Sequence, residues 1–292
     1  LGFMGQGMTI AVLDAGFMNV DKIPAFKNLN IKGTRNFVAG YDNDVYKEMD
    51  HGTKTLSTIA MNQPTVFVGT APKASFWLLR TEDYSTESSA EEDFWIAAVE
   101  FSDSVGVDVI SSSLGYHGFD DKSMNYRYSD LNGRTAPISQ AASRLASKGI
   151  ILVNSAGNDG MGAWKKINVP ADAHDILTVG AVSLDKVNAP FSSIGPTADG
   201  RVKPDVMAFG CPTNVVSGRG YIIPDNGTSF ACPLIAGMVA CLWQAFPNKS
   251  AKEILELVRQ SGSNRQYPDN IMGYGVPDFW SAYESATRNN QQ

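Results

Sequence analysis

Cysteine is scarce in this sequence, with three residues in 292. That excludes a disulfide scaffold and leaves at least one thiol unpaired. Clustered positive charge is missing too. The formal charge is -6, from 24 Lys plus Arg against 30 Asp plus Glu, and no stretch concentrates the cations, so a nucleic-acid partner is not expected. No apolar run of about 18 residues stands out, so no membrane span is expected. His51, His117 and His174 are the only histidines and none has HExxH-like spacing, which excludes the common zinc hydrolases. The chain opens on Leu1 without a Met, a signal peptide or a targeting region, so anything upstream is expected to have been removed or never included. Repeats, low-complexity segments and dividing linkers are also absent. One domain over residues 1–292 is expected, and a chain of this length buries roughly three-quarters of its extended surface without staples.

What is present alternates between two patterns. Residues 8–15 (MTIAVLDA) form a short apolar run ending in an acid, and similar runs fall at 74–80, 107–112, 149–154, 176–182 and 205–208. These read as buried strands. Helical patterns lie between them at 53–61, 91–102, 137–148 and 229–246, while 218–225 reads as the second arm of a hairpin. The polar tail 287–292 is expected to fray. Strands alternating with helices imply an α/β, three-layer domain with a mostly parallel central sheet and helices on both faces.

Four segments carry chemistry. Asp14 in VLDAG stands at the carboxyl end of a buried strand, where parallel sheets place reacting groups. His51 in DHGT opens a helix of small and apolar residues and has the character of a general base near neutral pH. Asn158 in VNSAGND sits between glycine-rich turns, placed to donate its amide to an oxyanion. Ser229 in NGTSFACP falls at the start of a helix that is apolar all round, where free N–H groups favour negative charge. Each residue alone would pass for a cap or a turn former.

Taken in the order Asp, His, Asn, Ser, together with SSSLGY and the stretch from PADAHD to VMAFG, these blocks resemble the subtilisin-type serine proteases, the subtilases. The wording of HGTKTLSTIA and FSSIGPTADGRVKPDVMA is most similar to secreted subtilases of Bacteroidetes-type bacteria. An α/β-hydrolase would place its His after its Ser, which this order excludes. The resemblance implies that Ser229 is the nucleophile, His51 the general base, Asp14 its orienting carboxylate, and Asn158 with the Ser229 N–H the oxyanion hole. It implies that substrate pairs as an added strand along Ser113, Leu114 and Gly115, with Ser155, Ala156 and Gly157 as the opposite wall of the main specificity pocket. Asp159 would lie at the pocket base and favour basic or long polar side chains. Glu91, Glu92 and Asp93 would flank neighbouring pockets. A secreted or cell-surface enzyme acting on proteins or peptides, with its own propeptide as inhibitor and folding aid, is the expected context. The alternative is a catalytically silent relative that binds peptides.

The sequence also departs from the family. Ala15, Phe230 and Cys232 replace commoner residues, and only 13 residues precede Asp14, so an N-terminal segment of the mature domain and the propeptide are expected to be absent. The chemistry needs no cofactor and no metal site is expected. The loop 61–68 is short, uncharged and broken by Pro64, which argues against a structural calcium there, and Asp42-Asn43-Asp44 reads as a solvated turn. Cys232 and Cys241 are too far apart on one helix to bridge; a Cys211–Cys232 bond is the alternative to three free thiols.

Overall fold

The computed structural model describes residues 1–289. In chain order the strands are β1 (Thr9–Asp14), β2 (Asn30–Asn36), β3 (Asn62–Gln63), β4 (Phe67–Val68), β5 (Ser75–Arg80), β6 (Val109–Ser112), β7 (Ile151–Ser155), β8 (Leu177–Ser183), β9 (Val206–Cys211), β10 (Thr213–Val216) and β11 (Ile222–Asp225). The helices are α1 (His51–Ala60), α2 (Ala90–Ser104), α3 (Pro137–Arg144), α4 (Thr228–Ala245), α5 (Ala251–Gln260) and α6 (Phe279–Asn289). Seven strands form one sheet in the order β2-β5-β1-β6-β7-β8-β9, and every neighbouring pair is parallel.

Both faces of the sheet's inner strands are buried, which is why those strands are apolar runs and not alternating ones. On one face Ile10, Val12, Leu78, Val153 and Val179 pack with Leu56 and Ile59 of α1 and with Ala231, Ile235 and Val239 of α4. On the other, Ala11, Leu13, Leu79, Ile110 and Leu152 meet Trp95 and Val99 of α2 and Ile138 and Ala142 of α3. The two-residue period of a strand decides what comes next. Asp14 shares the face of Ile10 and Val12, so its carboxylate points towards α1 and α4.

From β1 the chain runs outward to β2, returns through β5 and then crosses to β6, so the strand order reverses about β1. The crevice at the carboxyl ends of strands flanking such a reversal is where open α/β sheets bind ligands. Asp14 ends β1 at that crevice.

Four elements differ from the sequence reading. β2 is an edge strand with an exposed, charged pattern (NIKGTRN) and a register shift beside Gly33, so no apolar run announces it. α5 and α6 follow the last motif, and α6 runs through Asn289 where fraying was expected from Thr287; residues 290–292 lie outside the described residues. α4, finally, is long and apolar enough by length and composition to cross a membrane, contrary to the expectation that no such run exists, but 72% of it is buried inside the protein as its central core helix.

Candidate active site

The carboxylate of Asp14 is fully buried and held by three donors. Its Oδ1 accepts from the Ala15 N–H at 2.8 Å and lies 2.6 Å from His51 Nδ1, while its Oδ2 accepts from the Thr55 hydroxyl at 3.0 Å. A carboxylate only accepts, so Nδ1 carries the proton and Nε2 is left with a free lone pair facing the crevice. His51 is the first residue of α1, with 32% of its side chain exposed. Partial burial would push its imidazole pKa down, but the charge and hydrogen bond of Asp14 more than offset this and hold it above its ordinary value. Gly52 allows the approach. Its N–H donates to Gly16 O at 2.9 Å, and a Cβ there would sit 2.3 Å from the same oxygen.

Ser229 is the second residue of α4 and is 9% exposed. Four residues on, Pro233 lacks the N–H that would normally bond the Ser229 carbonyl. The Ser113 hydroxyl supplies the missing donor at 2.8 Å, tying the end of β6 to the helix start. In return Ser229 Oγ lies 3.4 Å from the Ser113 carbonyl. Among the described residues Oγ makes no hydrogen bond to His51; the ring of Phe230, next in the chain, stands 5.7 Å from the imidazole, centroid to centroid. Such contacts are often long in a free enzyme and tighten on substrate.

Asn158 is exposed, and its Oδ1 accepts from both the N–H and the hydroxyl of Thr228, each at 2.9 Å. A backbone N–H can only donate, so the atom facing it is the oxygen, and the amide NH2 is left pointing outward beside the start of α4.

Two segments form the slot next to this group. Residues 113–115 leave β6 and residues 155–157 leave β7. Asn154 pins them together, donating from Nδ2 to Leu114 O at 3.0 Å and to Ser155 O at 2.9 Å. Gly157 has φ +110°, a conformation that only glycine adopts freely. Asn168 packs against both segments, and its N–H donates to Ala156 O at 3.2 Å. Its side chain donates to Asp159 Oδ2 at 2.9 Å.

Comparison with known proteins supports one assignment. The sequence model of the Subtilase family (Peptidase S8) matches residues 5–275. The chain belongs to the subtilase family. Subtilisin NAT of Bacillus subtilis subsp. natto is 28% identical over 276 residues, covering 94% of this chain and 64% of that protein. Subtilisin DY of Bacillus licheniformis is 27% identical over 267 residues, 90% of this chain and 86% of the relative. A mutant of the protease domain of PatA matches the fold with a TM-score of 0.79 at 21% identity, over 100% of this chain and 99% of that one.

Within this subtilase, the acids expected beside the site divide. Glu91 and Glu92 are buried, and burial raises both carboxyl groups to about 7. Glu91 accepts from the N–H groups of Asp83 and Ser88, and Glu92 from the Tyr126 hydroxyl. Only Glu91 of the two reaches the cleft of about 570 Å³ that runs from His51 past Glu82, Asp83 and Glu87 to Leu114 and Gly115. Among the described residues no group of three or more His, Cys, Asp or Glu side chains is arranged to hold a metal ion. Asp42 and Asp44 instead face Lys47 and backbone N–H groups of their own turn. All three cysteines are free, and burial pushes the Cys232 thiol up to about 12 and Cys241 to about 11, so neither is reactive.

Sequence reasoning passed over Thr55, Asn154, Asn168 and Thr228 as site residues. The signal for Thr55 was readable: it lies four residues after His51, one helical turn along the same face. The two asparagines act through contacts that no local pattern encodes.

Proposed function

We propose that this subtilase is a serine endopeptidase working through an acyl-enzyme on Ser229. His51 Nε2 takes the Ser229 proton and returns it to the leaving amine, while Asp14 holds the imidazole in the required tautomer and stabilises the imidazolium. The free amide of Asn158 and the Ser229 N–H bind the tetrahedral oxyanion at the positive end of α4. Substrate backbone adds as a strand along Ser113, Leu114 and Gly115, opposite Ser155, Ala156 and Gly157. The reading rests most of all on the 2.6 Å contact between a fully buried carboxylate and an imidazole whose other nitrogen is unencumbered. The family likeness adds the wider proposal of a single peptidase domain, secreted or held at the cell surface, that matures from its own propeptide and needs no cofactor for chemistry.

A fluorophosphonate probe tests the chemistry. The folded wild-type protein should be labelled, peptide mapping should find the adduct on Ser229, and Ser229→Ala should abolish it. Folded, matured protein that takes no label, or a label elsewhere, refutes the mechanism and favours a silent peptide-binding relative.

A further inference from the structure

We infer that Asn168 closes the floor of the main specificity slot, so that this subtilase cleaves after small side chains, with Asp159 hidden from substrate. The inference rests on the proteolytic reading above and adds the substrate class. It starts from the two glycines that face each other across the slot. A Cβ on Gly115 would stand 3.0 Å from Asn168 Cβ, and one on Gly157 would stand 2.9 Å from Asn168 Nδ2 and 2.8 Å from Ser193 Oγ. Asn168 therefore packs against both backbones, its Cβ at Gly115 and its carboxamide at Gly157, where a substrate side chain would enter. Asn168 is 8% exposed and cannot swing aside cheaply. Nδ2 is tied to Asp159, the Asn168 N–H bonds Ala156 on one wall, and the next residue, Val169, exchanges two hydrogen bonds with Tyr116 beyond the other.

Asp159 is restrained as well. Its N–H donates to Ser193 Oγ at 3.0 Å, and its Oδ2 faces both the Asn168 amide and His117 Nδ1, the latter at 4.0 Å. His117 is stacked on Trp164 at 4.7 Å. The acid, with 30% of its side chain exposed, is thus engaged by the Asn168 amide on one side and faces a histidine on the other, so that a Lys or Arg entering between Gly115 and Gly157 meets the carboxamide first. Ten buried side-chain polar atoms among the described residues lack a hydrogen-bond partner, and one belongs to Asn168. Its Oδ1 is buried without a partner, a costly state for a polar atom that serves only to fill space.

The test is a series of Ala-Ala-Pro-Xaa p-nitroanilides. Wild type should cleave Xaa = Ala and Ser with kcat/KM at least about tenfold above Phe, Leu, Lys and Arg. Asn168→Gly should raise the long side chains by about tenfold or more, with Lys and Arg gaining most. Adding Asp159→Asn should cancel the Lys and Arg gain but keep that for Phe. Binding of the corresponding peptides to Ser229→Ala and to Ser229→Ala/Asn168→Ala, followed by calorimetry, should show the same order without turnover. Wild type that prefers Phe or Lys, or an Asn168 substitution that leaves the ranking unchanged, overturns the inference. A chain that hydrolyses none of the substrates yet binds the short-side-chain peptides tightest defeats the catalytic reading and leaves only the selectivity of the slot for small side chains standing.

Discussion

Replacing Asp14 by Asn separates the two jobs proposed for the carboxylate. The change is nearly isosteric, and the surrounding donors dictate how the amide sits. Oδ1 faces two N–H groups, those of Ala15 and His51, whereas Oδ2 faces the Thr55 hydroxyl, which also donates to Gly52 O at 3.1 Å. The amide oxygen must therefore take the Oδ1 position. Its NH2 then donates to Thr55 Oγ1, whose single proton turns from the carboxylate position to Gly52 O. The imidazole stays in the same tautomer, and only the negative charge is lost. For charge centres about 4 Å apart at an effective dielectric of about 20, that charge is worth about 4 kcal/mol to the imidazolium that forms in the transition state. Asp14→Asn should then lower kcat/KM by roughly 10³. The pH profile supplies the second reading. Asp14 raises the pKa of His51, and the base acts only when neutral, so wild-type activity falls as pH drops through a value above the ordinary imidazole pKa. Without the charge that acid limb moves to lower pH. Stopped-time hydrolysis of a peptide anilide from pH 5 to 9 measures both (a range spanning the usual imidazole transition at about 6.5). A loss of 10⁴ or more with no limb shift would mean the amide had turned and inverted the tautomer; a loss below about tenfold would mean the charge does not matter.

Asn158→Leu should lower kcat by about 10²–10³ with little change in KM, the range known for a subtilisin that loses its oxyanion-hole asparagine; steady-state kinetics check it, and a loss confined to KM refutes the role. Asp205→Ala addresses stability. This buried carboxylate accepts from Lys203 Nζ at 2.7 Å, Thr178 N–H at 2.8 Å and Arg259 Nε at 2.9 Å. Its removal strands a buried lysine and should cost about 3–5 kcal/mol, seen in thermal unfolding as a drop of roughly 6–10 °C. Burial alone would raise the Asp205 pKa, but the two cations hold it below its ordinary value; a depressed acid stabilises above its unfolded pKa and stops doing so as pH falls through the folded one. The mutant deficit should therefore be full at neutral pH and shrink only in strong acid, and a deficit under about 1 kcal/mol at neutral pH contradicts the argument.

Legibility followed burial. β1, β5, β6, β7 and β8 were readable to within about two residues because a strand covered on both faces must be a short apolar run. β9 extends past the residues 205–208 read as strand, to Cys211, because Phe209-Gly210-Cys211 mixes a large, an absent and a small side chain. β2 was invisible, since an edge strand carrying Lys32 and Arg35 has no reason to look apolar. α5 is a different failure. Its capping box, Ser250 with Glu253, was present in the sequence and was not used. At the site, Asp14 and His51 could be marked locally and do meet, whereas the proposed floor of the slot depends on Asn168 touching residues 115, 157 and 159, which only the folded sheet assembles.

That difference has a mechanical consequence. The groups proposed for the chemistry sit on rigid starts and ends: Asp14 on β1, His51 opening α1, Ser229 opening α4, with Ser113 fastening the helix through the carbonyl that Pro233 leaves free. The groups proposed to set selectivity, Asn168 and the Asp159 behind it, sit in connecting segments and are held by hydrogen bonds to one another and to Ser193. No hydrogen bond links either of them directly to Asp14, His51 or Ser229 among the described residues. Sites without shared partners combine nearly additively. The slot can therefore be reshaped while the reacting groups keep their positions. The double variant Asp14→Asn/Asn168→Gly should show the full rate loss of the first change and the full selectivity shift of the second, and an interaction beyond about 0.5 kcal/mol between them would show that floor and triad move together after all.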